Sequence, residues 1–180
     1  TLTVPSWTET VYSPPPEPVI LVEEFSSVCC SNCPDAAEAL HTVLHETAYA
    51  GRVLQITYTL YWGPSCPDPH YVGFETQNTE RLQYYLGTFG GMPAALISGG
   101  EVLEGTLDTA GNITPANLRT AFDAALAATP DLGVAVDAEL VGNELRVNAR
   151  LSAVDGIDLA QGVVRCALVE NGLVYGDAPG

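Results

Sequence analysis

An apolar run, Val19-Ile-Leu-Val-Glu-Glu-Phe25, leads directly into Cys30-Ser-Asn-Cys-Pro34 and then into an amphipathic helical pattern. This order, strand, paired cysteines, helix, constrains the fold more than any other feature of the chain. Two sulfurs three residues apart at the start of a helix can close a disulfide. The partial positive charge of the helix N-terminus favours the thiolate over the thiol. Zinc sites use the same spacing, so the pair alone does not choose between redox and metal chemistry.

Composition narrows the field. Apolar residues make up 47% of the 180, enough for a real core, so disorder is not expected. No stretch approaches the roughly 20 apolar residues of a membrane helix, so no membrane insertion is expected. The chain opens at Thr1, which is expected of a mature or trimmed form. Acidic residues outnumber basic ones 22 to 6, and all the basic ones are Arg. A net charge of −16 argues against nucleic acid or an anionic membrane as a partner. The five cysteines (29, 30, 33, 66 and 166) cannot all pair within the chain. A reactive pair, a further partner and a buried free thiol is the simplest division.

Periodicity organises the rest. Residues 1–18, with Ser13-Pro-Pro-Pro-Glu-Pro18, predict an extended polyproline arm. A strand is expected at 19–25 and a helix at 35–49, with Ala36, Leu40, Val43, Leu44 and Ala48 on one face. A second strand follows at 52–61, parallel to the first through a right-handed crossover. Residues 62–73 read as a Pro-rich loop and 74–86 as a helix with Leu82, Tyr85 and Leu86 inward. A hairpin is expected around Gly99-Gly100. The last helix has the clearest start: Thr114 as N-cap, Pro115 at the first helical position, and Ile113 able to staple onto Leu118.

After Pro130 the period changes to two. Val134, Val136, Ala138 and Leu140 alternate with acids, and Leu145, Val147, Ala149 and Leu151 alternate with Arg146 and Arg150 across Gly142-Asn143. Opposite charges on the polar faces are expected to pair across these strands. Further strands are expected at 163–170 and 173–175. About fifty residues is short for a β-sandwich, so an antiparallel β-domain at 130–180 that stops incomplete is expected.

Gly90-Gly91-Met92-Pro93-Ala94 stands about sixty residues after the cysteine pair and leads into a short apolar strand. It resembles the cis-proline loop of the thioredoxin fold, and the order strand, helix, strand, helix, hairpin, helix is similar to that fold over 19–129. Two stretches narrow the likeness. Val22-Glu-Glu-Phe-Ser-Ser-Val-Cys-Cys-Ser-Asn-Cys-Pro34 resembles a segment of bacterial outer-membrane-associated thioredoxin-like proteins and lipoproteins. Ala167-Leu-Val-Glu-Asn-Gly-Leu-Val-Tyr175 looks like a strand pair of their C-terminal β-domain. Tyr61-Trp62 with Thr79-Glu-Arg-Leu-Gln83 is also similar to a second secreted thioredoxin-like family of unknown function. Cys29 and Cys66 depart from these patterns. The resemblance implies export to the periplasm, outer membrane or cell surface, with any lipid anchor upstream of this chain. It also implies that a buried carboxylate at the place of Glu24 helps deprotonate the resolving thiol.

Cys30, at the leading edge of the helix and nearer solvent, is expected to be the nucleophile, and Cys33 to resolve the mixed disulfide. Glu24, desolvated, suits the proton acceptor, while Glu23 faces the other way and is expected in solvent. Pro93 would stack on the disulfide, with Met92 offering its backbone to an incoming peptide. No Lys or Arg neighbours Cys30 in sequence and Asp35 opposes a thiolate, so a moderate thiol pKa and a reducing or neutral couple are expected.

Parallel strands bring their carboxyl ends to one edge, so the loop after Tyr61 should lie beside Cys30. Cys66 in that loop can form an accessory disulfide with Cys29. A zinc set of Cys30, Cys33, Cys66 and His70 is the competing use, but the spacing does not demand it and no metal is expected. His41 and His45 read as an exposed helix face, and Cys166 as a buried, inert thiol. The expected function is thiol–disulfide exchange with protein substrates, without organic cofactor, with electrons passing to or from a partner redox protein. The alternative is a non-enzymatic surface binding module in which Cys30–Cys33 is a permanent bridge.

Overall fold

The structure, a computed structural model, describes residues 17–66, 68–85, 87–88, 90–106, 111–153 and 163–169. It is a mixed α/β arrangement with a four-stranded sheet and a separate two-stranded antiparallel sheet. The described elements fall into two units, one holding the larger sheet with its three helices and the other holding the two-stranded sheet.

The apolar run forms β1 (Ile20–Ser26), buried along nearly its whole length because it is the second strand in from the sheet edge. α1 (Cys33–Leu44) follows, and β2 (Val53–Thr59) then pairs parallel to β1, Ile20 opposite Val53 and Ser26 opposite Thr59. α2 (Pro69–Tyr84) precedes β3 (Ala94–Ile97) and β4 (Glu101–Glu104), an antiparallel hairpin laid against β1. The strand order is therefore β2-β1-β3-β4. Gly99 makes the β3–β4 turn with φ +71°, a conformation glycine adopts without strain.

Alternation along β1 divides the core in two. Ile20 and Val22 join Ala36, Ala39, Leu40 and Val43 of α1 with Leu118, Ala121 and Phe122 of α3 (Pro115–Ala127). Phe25 points the other way, into a smaller cluster with Leu60, Tyr85, Ala94 and Leu96. Each of the large fully buried chains contributes roughly 1.5–3 kcal/mol of transfer free energy. Thr114 caps α3, its Oγ1 accepting from the Asn117 amide at 3.2 Å, and Ile113 and Leu118 are both buried in the larger cluster.

Several expectations need correcting. α1 ends at Leu44 rather than at 49, so Ala48 is exposed; Tyr49 is the buried residue there, its ring packed on Phe122 and its hydroxyl donating to Asp123 at 2.8 Å. α2 begins within the segment read as loop, because Asp68 caps it and Pro69 takes its first position. It kinks at Phe74, and Asn78 donates to the Thr59 carbonyl at 2.8 Å, tying the helix to the end of β2. Leu86 lies outside the described residues.

In the second unit β5 (Leu132–Val141) and β6 (Glu144–Ala153) pair antiparallel around Gly142, whose φ is +62°. Asp137 and Arg150 meet across the strands at 3.0 Å, both well exposed, a geometry that stabilises little. The apolar positions Val134, Val136, Leu140, Leu145 and Val147 are also exposed. Residues 163–169 form no strand, and Cys166 is an exposed free thiol rather than a buried one. Alternating sequence makes a strand only where a neighbour supplies the ladder hydrogen bonds. Of the arm expected at 1–18 all but residues 17 and 18, and the whole of the strand expected at 173–175, lie outside the described residues. None of the described helices is long and apolar enough to cross a membrane.

Candidate functional site

β1 and β2 run parallel, so the loops leaving them emerge at one edge of the sheet; the Leu60 amide still bonds the Ser26 carbonyl at 2.8 Å as the strands end. The first loop carries Cys29 and Cys30, the second Cys66 and Asp68. Two disulfides form here, Cys30–Cys33 with Cα atoms 5.3 Å apart and Cys29–Cys66 with Cα atoms 6.1 Å apart. Both separations lie in the ordinary range for a bridge. Cys33 is the first residue of α1, Asn32 its N-cap, and Pro34 follows in the first turn, where a missing amide costs nothing. The Cys33 amide bonds the Cys30 carbonyl at 3.2 Å, a turn that holds the two residues together.

The exposure expected to distinguish Cys30 is absent from the oxidised pair. Cys30 is 4% exposed and Cys33 3%. What separates them is position, Cys30 before the helix and Cys33 inside its first turn. Cys29 and Cys66 are both half-buried.

A residue missed in the sequence organises the edge. Asp68 is fully buried. Its Oδ2 accepts from Ser27 Oγ at 3.1 Å and the Val28 amide at 2.9 Å, while its Oδ1 accepts from the amides of His70 and Tyr71 at 3.0 and 3.4 Å. One carboxylate thus caps α2 and pins the loop that delivers Cys29 and Cys30. Asp-Pro at the start of a helix is a recognisable cap, and it was the available clue.

Glu24 lies on the β1 face that carries Ile20 and Val22, the face covered by α1 and α3. It is buried, with Oε2 accepting from Gln55 Nε2 and Thr57 Oγ1, each at 2.9 Å, while Oε1 has no hydrogen-bond partner among the described residues. Burial pushes its carboxyl above the usual carboxylate range, and the Thr57 and Gln55 hydrogen bonds only partly offset this.

Glu23 is not in solvent as expected; it is 1% exposed. On the opposite face from Glu24, its two oxygens meet Arg81 Nε and Nη2 at 2.6 and 2.7 Å, and Oε2 also accepts from the Tyr85 hydroxyl at 2.6 Å. Burial alone would raise this carboxyl, but the Arg81 fork and the Tyr85 hydroxyl outweigh it and hold Glu23 below its ordinary value. Burial and the Glu23 carboxylate push the Tyr85 hydroxyl up in turn.

Met92–Pro93 is a cis peptide, and Pro93 is buried. Because Ala94 pairs with Phe25, Pro93 stands beside the end of β1, where the cysteine loop departs. Its carbonyl accepts from the Gly105 amide at 2.9 Å, and Met92 is half-buried against the smaller cluster. In this oxidised form Cys30 and Cys33 are bonded to each other and Cys66 is bonded to Cys29. His70 is the second residue of α2, and the exposed His41 and its C-cap neighbour His45 lie at the end of α1 with ring centres 4.1 Å apart and planes tilted by 33°. A cavity of about 380 Å³ opens beside Cys66, lined also by Tyr61, Pro64, Tyr71, Val72 and Glu75.

No family model and no curated protein matches the chain. Among solved structures it is similar to HBP35 of Porphyromonas gingivalis, with a TM-score of 0.48 and 15% identity over 73% of this chain and 38% of that one. It is also similar to a structural-genomics protein from Agrobacterium tumefaciens, with a TM-score of 0.47 and 24% identity over 73% of this chain and 56% of that one. The chain thus spans less than two thirds of the length of either.

Proposed function

We propose that this protein is a thioredoxin-like thiol–disulfide oxidoreductase that exchanges disulfides with protein substrates through Cys30 and Cys33. The observation that carries this is the Cys30–Cys33 bridge at the first turn of α1, following a strand whose buried Glu24 has, among the described residues, no cation beside it and one oxygen without a hydrogen-bond partner. The helix N-terminus lowers the cost of a thiolate at Cys30. That thiolate attacks a substrate disulfide, and Cys33 then attacks Cys30 Sγ and releases the reduced substrate. Glu24, its carboxyl raised by burial, takes the Cys33 proton. Met92 and Pro93 flank the end of β1 and receive the substrate chain there. A partner redox protein resets the pair, and no organic cofactor is needed. Four of five cysteines in bridges favour an oxidising compartment, hence export.

The near-complete burial of both Cys30 and Cys33 supports a rival reading, a scaffold with a permanent bridge. A glutathione titration with alkylation and peptide mass spectrometry separates the two. Opening between about −120 and −270 mV supports exchange, whereas a pair still closed below about −300 mV makes the protein a scaffold.

A further inference from the structure

We infer that Cys29–Cys66 is a second redox couple, the one a substrate dithiol meets first, and that it exchanges with Cys30–Cys33 through a Cys30–Cys66 mixed disulfide. This rests on the exchange activity proposed above and assigns the route by which electrons reach its buried pair.

Three observations converge. Cys29 and Cys30 are consecutive, so their Cα atoms lie about 3.8 Å apart, and each belongs to a different disulfide. The Cys30–Cys33 sulfurs sit on residues 4% and 3% exposed, whereas Cys29 and Cys66 are half-buried. Cys66, not Cys30 or Cys33, lines the cavity of about 380 Å³ with Tyr61, Pro64, Tyr71 and Val72. Exchange requires access to a sulfur, and Cys66, half-buried at the cavity wall, is more accessible than Cys30 or Cys33.

Asp68 makes such a couple workable. Its hydrogen bonds to Ser27 and Val28 join the two loops without using sulfur. Opening Cys29–Cys66 therefore leaves both thiols close to each other and to Cys30.

The electrons balance as follows. A substrate thiolate attacks Cys66 Sγ; the Cys29–Cys66 bond breaks and Cys29 leaves as thiolate. The substrate's second thiolate displaces Cys66, so the substrate becomes a disulfide and Cys29 and Cys66 a dithiol. The Cys66 thiolate then attacks Cys30 Sγ and expels Cys33. Finally the Cys29 thiolate attacks Cys66 Sγ and expels Cys30. Cys29–Cys66 is restored and Cys30–Cys33 holds the two electrons. The two protons given up by the substrate thiols end on Cys30 and Cys33.

The test uses the full chain. One equivalent of reduced dithiothreitol is added, samples are quenched with N-ethylmaleimide over time, and the labelled cysteines are mapped. The relay predicts label first on Cys29 and Cys66, passing later to Cys30 and Cys33. Label on Cys30 and Cys33 from the first sample, with Cys29–Cys66 closed throughout, overturns the relay and leaves the exchange activity standing. If Cys30–Cys33 never opens, even in excess reductant, the exchange activity itself fails and the relay with it. A second arm oxidises the Cys29→Ser, Cys33→Ser variant with diamide. A Cys30–Cys66 linked peptide supports the route, and its absence from folded protein overturns it. In a third arm Cys29→Ser, Cys66→Ser should slow reduction of Cys30–Cys33 by a reduced two-cysteine peptide at least tenfold. An unchanged or faster rate marks Cys29–Cys66 as a structural clamp only.

Discussion

Glu23 and Glu24 are consecutive in β1, both are buried, and their carboxylates lie on opposite faces of the sheet with opposite surroundings. Glu23 is gripped by the Arg81 fork, while the donors to Glu24 among the described residues are neutral, Gln55 and Thr57. Position in a strand decides the face, and what packs on each face decides the charge state. The first carboxylate is fixed as an anion, the second remains able to take and release a proton.

Glu24→Gln should stabilise the protein at pH 8. The Glu24 carboxyl is raised above its ordinary value of 4.5, so the folded state binds its proton more tightly than the unfolded state. Its favourable contribution is complete below the unfolded pKa and is lost as pH rises through the folded one. At pH 8 the ionised carboxylate, kept from water by burial, therefore destabilises the fold relative to an uncharged amide of the same size. Urea unfolding of both proteins should show this gap at pH 8 and no gap near pH 4. Under the proposed mechanism the same variant should release Cys33-resolved product at least tenfold more slowly at pH 7.

Arg81→Met should cost about 3–5 kcal/mol, because it strands the Glu23 carboxylate in the core. Glu23→Leu combined with Arg81→Met should recover most of that loss, since an apolar pair of similar size replaces the ions. For Glu23 the sign is the reverse of Glu24. Its lowered carboxyl contributes stability above the ordinary value of 4.5, and the contribution is lost as pH falls through the lowered one. Acid unfolding midpoints of the wild type and the double variant measure it; the double variant should unfold at lower pH.

The sequence carried the frame of the larger unit well, because its cues are local. The run at Val19–Phe25, the Gly99-Gly100 turn and the Ile113-Thr114-Pro115 cap each state their element within a few residues. Alternation along β1 also gave opposite faces to Glu23 and Glu24. It could not say that the second face is covered, because Arg81 comes 58 residues later and Tyr85 comes 62 later. Asp68 was hidden in the same way: prolines on both sides suggested a loop, while its partners Ser27 and Val28 sit in the loop after β1. At 163–169 a strand-like alternation carried no information on whether a partner strand lies beside it.

Thr114→Ala should lower stability by about 1 kcal/mol, with no effect on thiol chemistry. Its hydroxyl accepts from the Asn117 amide at the start of α3, and the substitution removes that cap. Thermal unfolding measures the loss, and an unchanged rate of Cys30–Cys33 reduction in the same variant shows that a general loss of stability does not mimic the effects expected at Glu24.

Asp68→Ala should be more damaging than its single charge suggests, by about 3 kcal/mol, because four donors lose their acceptor at once. Two of them belong to the loop after β1 and two to the first turn of α2, so both should loosen together. Amide hydrogen exchange should quicken at Val28, His70 and Tyr71, while the far strand β4 stays protected. Asp68→Asn keeps one oxygen as an acceptor and should fall between the two. Reduced Asp68→Ala should also re-form Cys29–Cys66 several-fold more slowly than wild type, since Asp68 is what holds Ser27 and Val28 to the second loop among the described residues once the sulfurs part. Loosening confined to α2, with Val28 exchange and bridge formation unchanged, would mean that Asp68 is a helix cap and no more.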